Sequence, residues 1–259
     1  MLFQIKSYLK FLWYSKNEHA VHSPFVFSLL TKCFYDKKSK PEYIVLKEYR
    51  KSLLKNSNTI EVTDFGAGSK IFKNNTRVIA KIAKTSGISP KRAQLLFRIT
   101  HYFQSDPILE IGTSLGLATA ALALGNPKAS VITLEGCSNT RAIAKNQLQL
   151  LNINNVKSIG TEFSEYFKTQ NLKPKTHNLI YFDGNHSKKA TLDYFERLLP
   201  TITNETVWIF DDIHWSAEMH EAWEIIKTHP KVSVTIDTFQ WGLVFFRREQ
   251  PKEHFIIRV

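Results

Sequence analysis

Two groups of residues in this 259-residue chain have the types and spacing to do chemistry. The first is "EIGTSLG", Glu110–Gly116, where an apolar run ends in an acid and a turn bracketed by glycines leads into an alanine-rich stretch. Glycines there let the backbone pass close to a ligand, and the helix start that follows offers unpaired N–H groups. Glu135 closes the next apolar run, 19 residues after Gly116, where a carboxylate can accept both hydroxyls of a ribose. The second group is Asp183 at the end of "IYFD", with His186 three residues on, and Asp211-Asp212 at the end of "WIFDD". Carboxylates at the carboxyl ends of neighbouring parallel strands face the crevice where open α/β sheets bind ligands. Three of them can hold one hard cation such as Mg²⁺ and leave positions open for substrate oxygens. A plainer reading stays open for the same residues: Asp183 borders the ligand crevice, and Asp211-Asp212 cap the helix that follows.

Strands are needed to position these groups. From Pro107 onward, apolar β-rich runs fall at 107–112, 130–135, 156–160, 177–183, 206–212, 232–237 and 241–248. Helical stretches of roughly ten to eighteen residues separate the first six, the spacing of βαβ units in a parallel sheet. Only Thr238–Gln240 joins the last two runs, too little for a crossover helix, so an antiparallel hairpin is expected there. The predicted fold is α/β: a Rossmann-like, doubly wound sheet of seven strands with the last reversed, over residues 101–259. Residues 1–100 are expected to form a basic, mainly helical cap that shapes substrate choice.

In these features the chain resembles the class I S-adenosylmethionine-dependent methyltransferases, over roughly residues 92–259. The resemblance rests on E-x-G-x-x-x-G at Glu110–Gly116, on Glu135 closing the second strand, and on the terminal hairpin. It implies S-adenosyl-L-methionine as cofactor, with Glu110, Gly112, Thr113, Ser114 and Gly116 around its methionine part. It places the ribose on Glu135 beside Gly136, the adenine near Glu162, and Asp183 at the edge of the same site. The aspartates look like those of the cation-dependent, catechol-type O-methyltransferases, which hold a metal with an Asp after strand four and an Asp-Asn pair after strand five. Asp183 and Asp211 match by type, and Asp212 stands where the Asn would be. Where those enzymes carry a basic lysine this chain has His186, and "DGNH" is similar to the relatives bearing D-G-x-H. The resemblance thus implies O-methyl transfer, with Mg²⁺ or another divalent cation on Asp183, Asp211 and Asp212. His186 and Asp183 are the catalytic candidates, and imidazole, with an ordinary pKa near 6.5, suits a proton acceptor.

"DFGAGSK", Asp64–Lys70, imitates a nucleotide-binding turn but has Ile71 where a third glycine belongs, and no acid follows until Asp106. It is expected to be a plain turn beside a basic face, with Lys70 and Lys73 as candidates for a substrate anion. Residues 1–100 hold 19 Lys and Arg against 6 acidic residues, an excess of 13, while the rest of the chain is near neutral. That excess suits an anionic partner. One alternative is therefore an RNA methyltransferase with a nucleic-acid-binding first half, and another is a catalytically inactive cofactor-binding module. The favoured acceptor is a small or lipid-like hydroxylated molecule.

Cys33 and Cys137 are too far apart in sequence for a thiolate zinc pattern and fit a reducing compartment. No run of about 18 apolar residues is present, and lysines at 6 and 10 interrupt the apolar N-terminus with no small-residue cleavage site behind it. A cytoplasmic protein is expected. Its first helix should pack on its own domain or lie at a membrane surface.

Overall fold

The computed structural model describes residues 2–63, 65, 74–170 and 176–259. Up to Phe103 the chain is mainly helical, with α1 (Leu2–Tyr14), α2 (Pro24–Leu29), α3 (Glu42–Leu54), α4 (Ile79–Thr85) and α5 (Pro90–Phe103). A small antiparallel hairpin, β1 (Thr59–Glu61) and β2 (Thr76–Val78), lies between α3 and α4 in the sequence. Strands and helices then alternate: β3 (Ile108–Ile111), α6 (Leu117–Gly125), β4 (Val131–Glu135), α7 (Ser138–Leu150), β5 (Val156–Gly160) and α8 (Phe163–Gln170). β6 (Leu179–Phe182), α9 (Lys188–Leu198), β7 (Val207–Asp211) and α10 (Ala217–Thr228) continue the alternation. β8 (Val234–Asp237), β9 (Trp241–Phe245) and β10 (Glu253–Ile256) close the chain.

All seven expected strands are present, as β3 to β9. They form a mostly parallel, Rossmann-like sheet in the order β10-β8-β9-β7-β6-β3-β4-β5. β9 runs antiparallel to both β7 and β8, with Phe245 opposite Val207 and Val234, so the reversed hairpin is borne out. The eighth strand, β10, adds to the expected seven. It pairs parallel with β8, Glu253 opposite Val234, and occupies the sheet edge. A half-exposed edge strand that opens on Glu253-His254 carries no apolar run to mark it.

By its contacts the chain divides into two units, Asp36–Thr169 and Met1–Tyr35 with Gln170–Val259. In the first unit β3, β4 and β5 pair in parallel, Ile108 opposite Val131 and Glu135 opposite Gly160. All of β3 is buried, as a parallel strand covered on both faces should be. α6, "LATAALALG", is apolar all round and almost wholly buried. α3 buries Leu46, Tyr49 and Leu53, three and four residues apart on one helical face. Ser89 caps α5 by accepting the Arg92 N–H, and Pro90 occupies its first turn.

In the other unit β6 and β7 pair in parallel, and both are buried throughout. Ser187 caps α9 and Ser216 caps α10 through their hydroxyls. α1 packs inward with Phe11, which meets Phe239 at 5.5 Å between ring centroids, and with Tyr8 on the same ring. Leu2, Ile5, Leu9 and Trp13 on α1 are exposed. Among the described residues no helix is long and apolar enough to cross a membrane. Trp223 of α10 is buried against the backbone of β9, where a Cβ at Gly242 would lie 2.5 Å from its ring. Gly242→Ala is therefore expected to cost about 1–3 kcal/mol by overpacking. Urea unfolding measures it, and an unchanged midpoint would show that the indole has room to move.

Candidate functional site

In the Asp36–Thr169 unit, the turn after β3 is built from residues in unusual backbone conformations. Gly112 has φ 105° and Gly116 φ 80°, which glycine adopts freely, and between them Ser114 has φ 48°. A left-handed serine costs roughly 1–2 kcal/mol and persists only where its surroundings fix it. Here the Ser114 N–H donates to Glu135 Oε2 at 2.7 Å, and the Cys137 N–H donates to Glu135 Oε1 at 2.8 Å. The Gly112 and Thr113 N–H groups both reach the Leu134 carbonyl at 3.1 Å. Glu135 is thus clamped at the carboxyl end of β4, directly beside the glycine turn that opens α6.

Glu110 has a different place. It is fully buried and accepts hydrogen bonds at Oε2 from the hydroxyls of Thr119 and Thr133, while Thr133 also meets the Thr113 hydroxyl. Its Oε1 has no hydrogen-bond partner among the described residues. Burial raises its carboxyl from the ordinary 4.5 to about 7; the two threonines pull it down and the Glu135 charge pushes it further up. Glu110 therefore holds the turn from beneath, through Thr113 and Thr119. Thr113 itself is buried, and Glu162 is exposed just before α8.

Two residues that the sequence analysis did not single out also shape the turn. The Tyr49 hydroxyl, on α3, donates to the Leu115 carbonyl at 3.0 Å and leaves no room for a side chain at Gly116. Its only sequence signal is the helical spacing it shares with Leu46 and Leu53, which reads as core. Phe65 lies against Gly136, where a Cβ would be 2.7 Å from its ring. The strand before it is tied down by Asn139 Nδ2 donating to the Glu61 carbonyl at 2.7 Å. The look-alike stretch thus begins beside the Glu135 turn. Asp64, Gly66–Lys70 and Lys73 lie outside the described residues.

In the other unit, Asp183 follows β6 and is joined to His186 by a tight turn with Asn185 at φ 51°. Asn is among the few residues that take this conformation readily. His186 Nε2 stands 3.6 Å from Asp183 Oδ1, both partly exposed. That is longer than a hydrogen bond.

The three aspartates expected to hold a cation sit in different local settings. Among the described residues, no three His, Cys, Asp or Glu side chains gather as a group able to hold a metal ion. Asp211 is buried, accepting the Tyr181 hydroxyl at 3.0 Å and the Asp212 N–H at 2.9 Å. Successive strand residues face opposite sides of a sheet, and Asp212, at φ 56°, leaves the strand altogether. His214 is also a buried structural group, with Nε2 2.8 Å from Asp237 Oδ2 and its ring stacked on Phe239.

Comparison with known proteins agrees with this architecture. Residues 109–213 match the family model described as a methyltransferase domain. No curated protein sequence matches the chain. Among solved structures, the chain is similar to a putative O-methyltransferase from Klebsiella pneumoniae, with TM-score 0.57, 17% identity, and 82% of this chain and 92% of that one covered. It is similar to the O-methyltransferase from Bacillus cereus in complex with SAH, with TM-score 0.54, 19% identity, and 82% and 94% covered. The SAH-bound methyltransferase PaMTH1 of Podospora anserina gives TM-score 0.61 at 13% identity, with 88% and 97% covered.

The buried Glu110 makes a pH prediction. Its folded-state pKa, about 7, lies above its ordinary 4.5, so the folded chain binds more protons between those values. Stability should fall as pH rises through that window and level off above it. Glu110→Gln should flatten this fall, seen as a smaller difference between urea midpoints at pH 5 and pH 8. Parallel profiles for both proteins would contradict the assignment.

Proposed function

We propose that this chain, whose residues 109–213 match a methyltransferase domain, moves the methyl group of S-adenosyl-L-methionine onto a hydroxyl oxygen of a small or lipid-like acceptor. The observation that carries the reading is Glu135, clamped by the Ser114 and Cys137 N–H groups beside a glycine turn that opens a buried helix. The two backbone donors fix the direction of this carboxylate at the strand end, which suits it to receive ribose hydroxyls. Gly112 and Gly116 supply the positive-φ backbone of the turn, and Gly136 leaves room for the Phe65 ring beside it. Bound there, the cofactor supplies a sulfonium methyl that needs no further activation.

The chain's own task is to place an acceptor oxygen in line with that methyl and to remove its proton. His186 is assigned the proton, and Asp183, 3.6 Å away, orients the imidazole and stabilises its charged form. No three metal-ligating side chains gather among the described residues, and no step is routed through a metal. The solved O-methyltransferases to which the chain is similar support oxygen as the acceptor atom.

Glu135→Ala should weaken S-adenosylhomocysteine binding about 100-fold or more, since it removes two charge-assisted hydrogen bonds. Calorimetry reads this directly, and wild-type affinity would displace the ribose from Glu135. His186→Ala should keep that affinity and lower kcat by about 10²–10⁴-fold; a full rate would assign the proton to another group. The acceptor class is tested by methyl transfer from labelled S-adenosylmethionine into fractionated cell extract, with and without EDTA. Label in the small-molecule or lipid fraction is expected, and its loss with EDTA would assign a divalent cation to Asp183, Asp211 and Asp212. Label in RNA would give the basic first hundred residues to nucleic acid instead.

A further inference from the structure

Part of the positive charge of the first hundred residues surrounds a cavity lined by none of the residues assigned above to methyl transfer. The cavity, about 620 Å³, lies wholly within the Asp36–Thr169 unit. α3, the Ile88–Pro90 turn, α5 and Leu117 at the start of α6 enclose it. Its volume falls within the range of about 300–1,000 Å³ usual for small-molecule sites.

The cavity has two chemically distinct parts. Leu46, Ile88, Ala93 and Leu117 form an apolar wall, each less than a tenth exposed. Lys40, Lys47, Arg50, Lys51 and Lys55 line it as well, and no Asp or Glu is among its described lining residues. The cations cluster because Lys47, Arg50, Lys51 and Lys55 recur at three- and four-residue steps on α3 and its end.

Their charge is only partly balanced. Lys40 pairs with Asp36 at 3.1 Å and Lys51 with Glu48 at 3.6 Å. Lys47 and Lys55 have no ion pair among the described residues. Arg50 is anchored by donating Nη1 to the Ile88 carbonyl at 2.6 Å. Burial and the like charge of Arg92 both hold its guanidinium below the ordinary arginine value. Like charges crowded around an apolar wall are costly when empty, and an anion at the mouth relieves that cost. An inorganic anion alone would leave the wall in water, and a neutral chain would leave the cations unbalanced.

We propose that this cavity binds a long-chain fatty carboxylate, its chain against Leu46, Ile88, Ala93 and Leu117 and its carboxylate at Lys47, Arg50 and Lys55. The site is independent of the methyl-transfer reading, since none of these residues belongs to the Glu135 turn or to the His186–Asp183 pair.

Fluorescence titration of the whole chain with cis-parinaric acid tests the proposal, with palmitate and uncharged hexadecanol as competitors. Saturable binding is expected, with hexadecanol competing at least about tenfold more weakly than palmitate. Lys47→Glu with Lys55→Glu should weaken parinarate about tenfold or more while S-adenosylhomocysteine affinity stays at the wild-type value. Ala93→Phe should fill the cavity and abolish binding. A melting curve will show whether that variant folds, and the double charge variant, altered only at the rim, decides the matter if it does not. Absence of saturable binding, or wild-type affinity in the double charge variant, would overturn the proposal. Equal competition by hexadecanol would overturn the carboxylate assignment.

Discussion

The hydrogen bond from the Ser114 N–H to Glu135 is the contact on which the candidate cofactor site depends. Three of the five residues from Gly112 to Gly116 have positive φ, and the serine among them would relax if it were left alone. Glu135 reaches across from the neighbouring strand and holds that backbone with one oxygen, and the loop at Cys137 with the other. The same carboxylate both fixes the turn and is itself aimed by it. Such mutual fixing gives a preorganised site, because neither partner has to be ordered when a ligand arrives.

Behind this contact lies a second acid of opposite character. Glu135 sits at a strand end with backbone donors, whereas Glu110 is buried among threonine hydroxyls and its carboxyl is driven up to about 7. Two carboxylates on adjacent strands thus meet different environments, and those environments set different tasks. One is proposed to present its charge to a ligand, and the other ties Thr119 directly, and Thr113 by way of Thr133, to the strand beneath the turn. Tyr49 closes the arrangement from α3 by holding the Leu115 carbonyl. The helical first part of the chain therefore contributes to the turn and does not only cover it.

Much of this was legible in the sequence because it is local. The seven apolar runs and the spacing between them predict the strands, and the three residues between Asp237 and Trp241 predict the reversed hairpin. Glu135 could be found because its position is set by the length of one βα unit. His186 and Asp183 could be paired because one short turn separates them. What stayed hidden depends on tertiary contact. Phe65 and Gly136 are distant in the chain, and nothing in either neighbourhood points to the other. Tyr49 looks like any buried position on an amphipathic helix. The three aspartates mark the limit of such reading: their spacing places them at strand ends, but side-chain direction there is decided by strand alternation and by the left-handed backbone at Asp212. Residue type alone does not carry that information.

A crystal structure of the chain grown with S-adenosylhomocysteine tests the central claim most directly. The account predicts both ribose hydroxyls on the Glu135 carboxylate, with the Ser114 and Cys137 N–H bonds intact and Phe65 still against Gly136. A ribose bound elsewhere, or a Glu135 that has released Ser114 to admit the ligand, would contradict it.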